Sequence, residues 1–137
     1  MRRHKEHIDR LFGSLVGGKL DEFLAGCDDE LVVTAHGSSP VPTTLTKRDI
    51  PDWFGSLRAL SPTSLRSSVE VTRVTKDGAT VILRHTFGRK GIDYHLEMIN
   101  FVVLRDGLLT KWSSYPLDLG EYSRAWRTHG AFVLASA

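Results

Sequence analysis

The sequence predicts an α+β fold in which a curved antiparallel sheet wraps around N-terminal helices. An apolar stripe opens the chain: Ile8, Leu11, Phe12, Leu15 and Val16 recur at i, i+3, i+4, i+7 and i+8. Residues 80–115 then alternate with period 2 and are punctuated by glycine-bearing turns. Helices first and strands afterwards is the α+β order. A strongly twisted sheet can curl over the helices and leave a cone-shaped cavity at one end.

The elements follow in order. A helix is predicted over residues 4–17, ended by Gly17-Gly18. Asp21 suits the N-cap of a short helix carrying Phe23 and Leu24, closed by Gly26-Cys27-Asp28-Asp29. Leu31–Ala35 is rich in β-branched residues and reads as a strand. His36-Gly37-Ser38-Ser39-Pro40-Val41-Pro42 is a loop. Asp49 can cap a third helix with Ile50, Trp53, Phe54 and Leu57 on its apolar face. Ser61–Ser64 is a linker. Ser68–Lys76 alternates imperfectly and reads as an outer strand, with Asp77-Gly78 as a hairpin turn.

Thr80–Phe87, Ile92–Leu104 and Leu108–Tyr115 form the central strands, joined through Gly88–Gly91 and Arg105-Asp106-Gly107. Pairing Phe87 with Ile92 places Val81, Leu83, His85, Tyr94, Leu96, Met98, Asn100 and Val102 on one face. That face is apolar apart from His85, Tyr94 and Asn100 and needs a cover or a ligand. The opposite face carries Arg84, Asp93, His95 and Glu97, then turns apolar at Ile99, Phe101 and Val103. Leu117–His129 suits an amphipathic helix over an open end, with Tyr122 and Trp126 at i, i+4, and the tail 131–137 is apolar.

Composition excludes several classes. The 137 residues suit one domain, and 41% hydrophobic with 25% charged residues is ordinary for a soluble protein. Lys and Arg total 18 against 16 Asp and Glu, and the basic residues are scattered beyond the first five positions. No nucleic-acid footprint is expected. No apolar run approaches about 18 residues, so no membrane span is expected. Cys27 stands alone, so no disulfide framework exists within the chain, which fits the reducing cytoplasm. Its acidic neighbours would raise the thiol pKa and argue against a catalytic thiol.

Taken together, Asp29-Glu30-Leu31-Val32-Val33 leading to Gly37-Ser38, the helix with Trp53-Phe54, and Val102-Val103-Leu104-Arg105-Asp106-Gly107-Leu108-Leu109 resemble the nuclear transport factor 2-like superfamily. Trp112 and Tyr115 ahead of Asp118 fit that family's last strand. The resemblance is to its SnoaL-like polyketide cyclase and ketosteroid isomerase branch. It implies a cystatin-like, cone-shaped α+β barrel with an apolar pocket, often a homodimer through the outer sheet face. It does not fix the activity. Against the isomerases, the oxyanion tyrosine position is Leu11, the base position Thr34 and the oxyanion acid position Asn100. Leucine donates nothing and threonine is no base near neutral pH, so a steroid-isomerase mechanism is not expected. Asn100 retains an N–H that can polarise a carbonyl.

The candidate catalytic residues are therefore His85, His36, Asn100 and Tyr94. A His–Tyr pair beside an apolar cavity can serve as base and proton donor; the alternative is a core histidine satisfied by Tyr94. His36 is either a rim base or a solvated loop histidine. Asn100 is either a carbonyl donor or a structural amide. Thr34, Trp53, Phe54, Met98, Trp112, Tyr115 and Asp118 are candidates for the substrate wall and mouth, with Trp53, Phe54, Met98 and Trp112 more simply explained as core and Asp118 alternatively an N-cap. Asp93, His95 and Glu97 share a strand face, where an ion-pair network with Arg84 is preferred to a metal site, so no metal and no cofactor is expected. The expected function is acid/base chemistry on a small apolar oxygenated metabolite such as a polyketide or terpenoid. Cyclisation, isomerisation, dehydration and epoxide opening all fit. The alternative is a binding or assembly module with the same pocket and no chemistry.

Overall fold

A computed structural model describes residues 2–37, 43–60, 64–89, 91–118, 120–122 and 124. The loop at 38–42, the linker at 61–63, Lys90, Trp126 and the tail 131–137 lie outside the described residues. Helix α1 (Arg2–Val16) and α2 (Leu20–Ala25) precede β1 (Cys27–Ala35) and β2 (Thr43–Thr46). A 3-10 turn at Lys47–Asp49 runs into α3 (Ile50–Leu60). Strands β3 (Arg66–Val74), β4 (Gly78–Arg89), β5 (Ile92–Arg105) and β6 (Leu108–Pro116) follow. No helix among the described residues is long and apolar enough to cross a membrane.

The strand order is β2-β1-β6-β5-β4-β3. The fold is α+β as expected, but the sheet is mixed and open, not a closed antiparallel barrel. Strand β1 lies parallel to β6, while the other neighbours are antiparallel. A parallel pair needs a long crossover, and β2, α3 and β3 to β5 supply it.

The helical stripe is buried as its spacing requires: Ile8, Leu11, Phe12 and Leu15 all enter the core. His7 Nε2 lies 2.7 Å from Gly107 O, which ties α1 to the β5–β6 turn. Asp49 does not cap α3 directly. Its carboxylate accepts from the Thr46 amide at 2.8 Å and the Thr46 hydroxyl at 3.1 Å, so the capping box begins one turn earlier. Asp21 likewise falls inside the first turn of α2, whose N-cap is Lys19.

The β4–β5 register differs from the expected one. Phe87 faces Tyr94, His85 faces Leu96 and Arg89 faces Ile92. The turn takes two residues rather than four, with Gly91 at φ 79°. The slip is two positions, so each residue keeps its face. Val81, Leu83, His85, Phe87, Tyr94, Leu96, Met98, Asn100 and Val102 are all buried. Ile92 is the exception, exposed beside the turn. In β3 a bulge between Val71 and Arg73 explains the imperfect alternation, because it returns Val74 to the inner side with Val69 and Val71.

The two Asp-Gly turns work differently. At Asp106-Gly107 both residues have positive φ, 53° and 80°, as a tight hairpin needs. Gly78 has no positive φ; it opens β4, where an added Cβ would meet Val102 O at 2.1 Å. Close backbone approach fixes glycine there. Gly78→Ala is expected to cost about 1–3 kcal/mol in urea unfolding. Gly55→Ala, in α3 with nothing within 4 Å of the new methyl, is expected to stabilise by about 0.5–1 kcal/mol.

Candidate functional site

The inner face of the sheet and α3 line a small, partly open apolar cavity of about 40 Å³. Trp53, Phe54 and Leu57 come from α3, Leu83 and His85 from β4, Leu96 and Met98 from β5, and Trp112 and Ser114 from β6. Tyr122, in the helical turn after β6, is buried and completes the lining. Of the expected wall residues, Trp53, Phe54, Met98 and Trp112 are therefore brought together around His85.

His85 is 3% exposed, and its Nδ1 lies 2.7 Å from Ser67 Oγ on β3. Antiparallel pairing sets the two residues directly opposite each other. Burial pushes the imidazole down to about 4, because the low-dielectric surroundings disfavour its charged form. Near neutral pH His85 is neutral, and the nitrogen not engaged by Ser67 is Nε2. If the serine hydroxyl donates to Nδ1, Nε2 carries the proton and can donate to a substrate oxygen. If Nδ1 donates to the serine, Nε2 offers a lone pair for proton abstraction.

The other expected catalytic residues stand elsewhere. Tyr94 does not face His85: it stacks on Phe87 with centroids 5.1 Å apart and lies under the Arg124 guanidinium at 4.4 Å. Asn100 does not point a free N–H at a substrate. Its amide donates to Val81 O at 3.0 Å and Met98 O at 3.1 Å, and its oxygen accepts from Trp112 Nε1 at 2.8 Å. It is a fully buried structural amide.

His36 is no rim base. Leu31, Val33 and Ala35 of β1 face the core, so the alternating Val32, Thr34 and His36 face outward. The His36 ring stacks on Tyr115 at 4.0 Å, and Tyr115 meets Phe101 edge-on at 5.9 Å. Thr34 and Tyr115 thus leave the substrate wall for the outer face. Asp118 is an exposed cap: its carboxylate accepts from the Glu121 amide at 3.0 Å.

On the outer face Arg84 bridges Glu70 at 2.7 Å and Glu97 at 2.9 Å, an exposed ion-pair network. The described residues hold no group of three metal-ligating side chains. Cys27 is buried, and that burial, opposed by the Lys47 charge, raises its thiol to about 12. Desolvation, not the neighbouring acids, keeps it protonated. Ser114 and Tyr122, which line the cavity, and Ser67, which bonds His85 from β3, are the polar residues not anticipated as site residues. Ser67 needed the β3–β4 register, which the bulge hides.

No family model matches the chain, and no curated protein matches its sequence. Solved structures do match. A protein from Jannaschia sp. CCS1, provisionally described as a SnoaL-like polyketide cyclase, aligns with TM-score 0.71 at 18% identity over 90% of this chain and 91% of its own. The chain has the nuclear transport factor 2-like fold. A nuclear transport factor 2-like protein from Burkholderia xenovorans LB400 aligns with TM-score 0.68 at 11% identity, covering 91% of this chain and 96% of its own. AclR from Streptomyces galilaeus, provisionally described as a hydroxylase, gives TM-score 0.73 at 10% identity, with 93% and 98% covered. Likeness at such identity shows the nuclear transport factor 2-like fold and leaves the reaction open.

The depressed His85 pKa makes a stability prediction. The unfolded imidazole titrates near 6.5 and the folded one near 4. Below pH 6.5 the unfolded chain binds the extra proton, so stability is lost as pH falls toward 4. At pH 5 this costs about 2 kcal/mol relative to neutral pH. Urea unfolding at the two pH values should show a drop that is about 2 kcal/mol smaller in His85→Gln.

Proposed function

We propose that this chain is a small cofactor-free enzyme performing acid/base chemistry on an apolar oxygenated metabolite such as a polyketide or terpenoid. The observation that carries the reading is His85, buried and neutral on a cavity wall, with Nδ1 held by Ser67 at 2.7 Å. Nε2 moves the proton, and Ser67 fixes the ring and its tautomer. Trp53, Phe54, Met98 and Trp112 fix the substrate and keep water out. A base held near 4 suits an acidic C–H, such as one flanked by carbonyls, or donation of a hydrogen bond to a developing oxyanion. Cyclisation, isomerisation, dehydration and epoxide opening each begin with such a step.

The test is a panel of apolar diketones, enones and epoxides incubated with the protein in D₂O and followed by mass spectrometry. The wild type should exchange, dehydrate or open at least one of them. His85→Gln should reduce that rate by roughly 10²–10⁴-fold. Ligands that bind and emerge chemically unchanged would support a binding or assembly module instead. That second reading is favoured by Asn100, whose amide is fully committed within the core.

The outer face supports a homodimer. Val32, Phe101, Val103 and Tyr115 are each 38–48% exposed, and they adjoin across β1, β6 and β5. An apolar patch on a sheet face is commonly an interaction surface. Light scattering should find a dimer for the wild type and a monomer for Phe101→Asp, with the fold intact by circular dichroism. A monomeric wild type would overturn the dimer reading. Within the cell the expected location remains the cytoplasm.

A further inference from the structure

Beside the His85 cavity lies a larger cleft of about 280 Å³ between the end of α1, α3 and the start of β3. Its apolar walls include Leu15, Phe54, Leu57 and Leu65. Phe54 and Leu57 also line the smaller cavity, so the two hollows share a partition. Ser67 lines the larger one, while His85, its hydrogen-bond partner, lines the smaller. The volume lies just under the 300–1,000 Å³ typical of small-molecule pockets, whereas the His85 cavity alone is of water size.

The one charged residue lining the cleft, among the described residues, is Arg58. It stands in the last turn of α3 and makes no ion pair among the described residues. Its guanidinium lies over Gly18: a Cβ there would meet Nη2 at 2.8 Å and Nη1 at 3.4 Å. Gly18, at φ +82°, thus leaves the room the guanidinium occupies. A planar cation beside a cleft of mixed polarity with mostly apolar side chains matches an amphipathic anion. A carboxylate can take two parallel N–H bonds from the guanidinium while its apolar body fills the cleft.

We propose that the substrate is an apolar carboxylic acid, its carboxylate docked on Arg58 and its body in the larger cleft. This rests on the acid/base reading above and adds the anionic handle to it. With the carboxylate at Arg58, the far end of the molecule meets the Phe54–Leu57 partition and the Ser67–His85 pair. Arg58 binds and orients; His85 moves the proton.

The test uses 2-naphthoate and its methyl ester as probes, titrated by calorimetry against the intact chain. The wild type should bind the acid roughly ten-fold or more tighter than the ester. Arg58→Met, which keeps the apolar stem, should remove that preference and leave ester binding unchanged. Arg58→Lys should restore part of it. Equal binding of acid and ester by the wild type, no saturable binding of the acid, or an unchanged preference in Arg58→Met would each overturn the proposal. The two readings fail separately. Loss of the preference in Arg58→Met with unchanged turnover in His85→Gln would sink the chemistry and keep the anion site. The reverse pattern would sink the anion site and keep the chemistry.

Discussion

The hydrogen bond from Trp112 Nε1 to Asn100 Oδ1, 2.8 Å long and wholly buried, is the constraint on which the inner face depends. Asn100 ties three strands, since its N–H groups reach Val81 O on β4 and Met98 O on β5 while its oxygen holds Trp112 on β6. Trp112 in turn meets Phe12 of α1 at 5.3 Å, Phe23 of α2 at 5.8 Å and Trp53 of α3 at 5.1 Å. One indole therefore seats α1, α2 and α3 against the sheet. Losing either partner would leave a buried polar group unpaired, at a cost of about 1–3 kcal/mol. The same bonds explain why this amide has no catalytic freedom.

That rigid wall sets the chemistry of His85. Burial against the aromatic cluster disfavours the imidazolium. A neutral histidine cannot attract an anion by charge, so long-range recognition must come from elsewhere. Arg58 stands where it can supply that attraction without raising the polarity around Nε2. On the proposed reading the charged handle stands apart from the proton-transfer group, so that one would bind and the other react.

Much of the fold was legible from residue order. The α1 stripe, the Asp106-Gly107 turn and the faces of β4 and β5 follow from period and turn chemistry alone. Parallel pairing of β1 with β6 was not legible, because no local pattern in Leu31–Ala35 encodes a partner some 80 residues away. The β4–β5 register slipped because Gly88 and Gly91 both allow a turn, and only packing selects the shorter one. The placement of the candidate side chains was half legible. The inward facing of His85 and Met98 followed from alternation and that of Trp53 and Phe54 from the apolar face of α3, whereas His36 and Thr34 lie on the outer face. Val32 is as apolar as Val33, so the sequence does not say which side of β1 faces in. Ser67 was hidden for a similar reason, since the bulge after Val71 scrambles the pattern that would have matched it to His85.

The partition between the two hollows decides whether the site can work. A cavity of about 40 Å³ is too small for a metabolite, so a substrate entering from the larger cleft would have to displace Phe54 or Leu57, which line both hollows. Both sit on α3, whose start is fixed by the Thr46–Asp49 capping box and whose aromatic pair Trp53–Phe54 leans on Trp112. The helix axis is thus pinned by the same indole that pins the sheet, and what can yield is a side-chain rotamer. Leu57 is nearly buried while Phe54 is only half-buried, so Phe54 has the freer exit. Turning that ring would join the two hollows beside Ser67 and deliver an anchored substrate to His85. Because the hub formed by Trp112 is rigid, opening the partition would cost a rotamer rather than the fold.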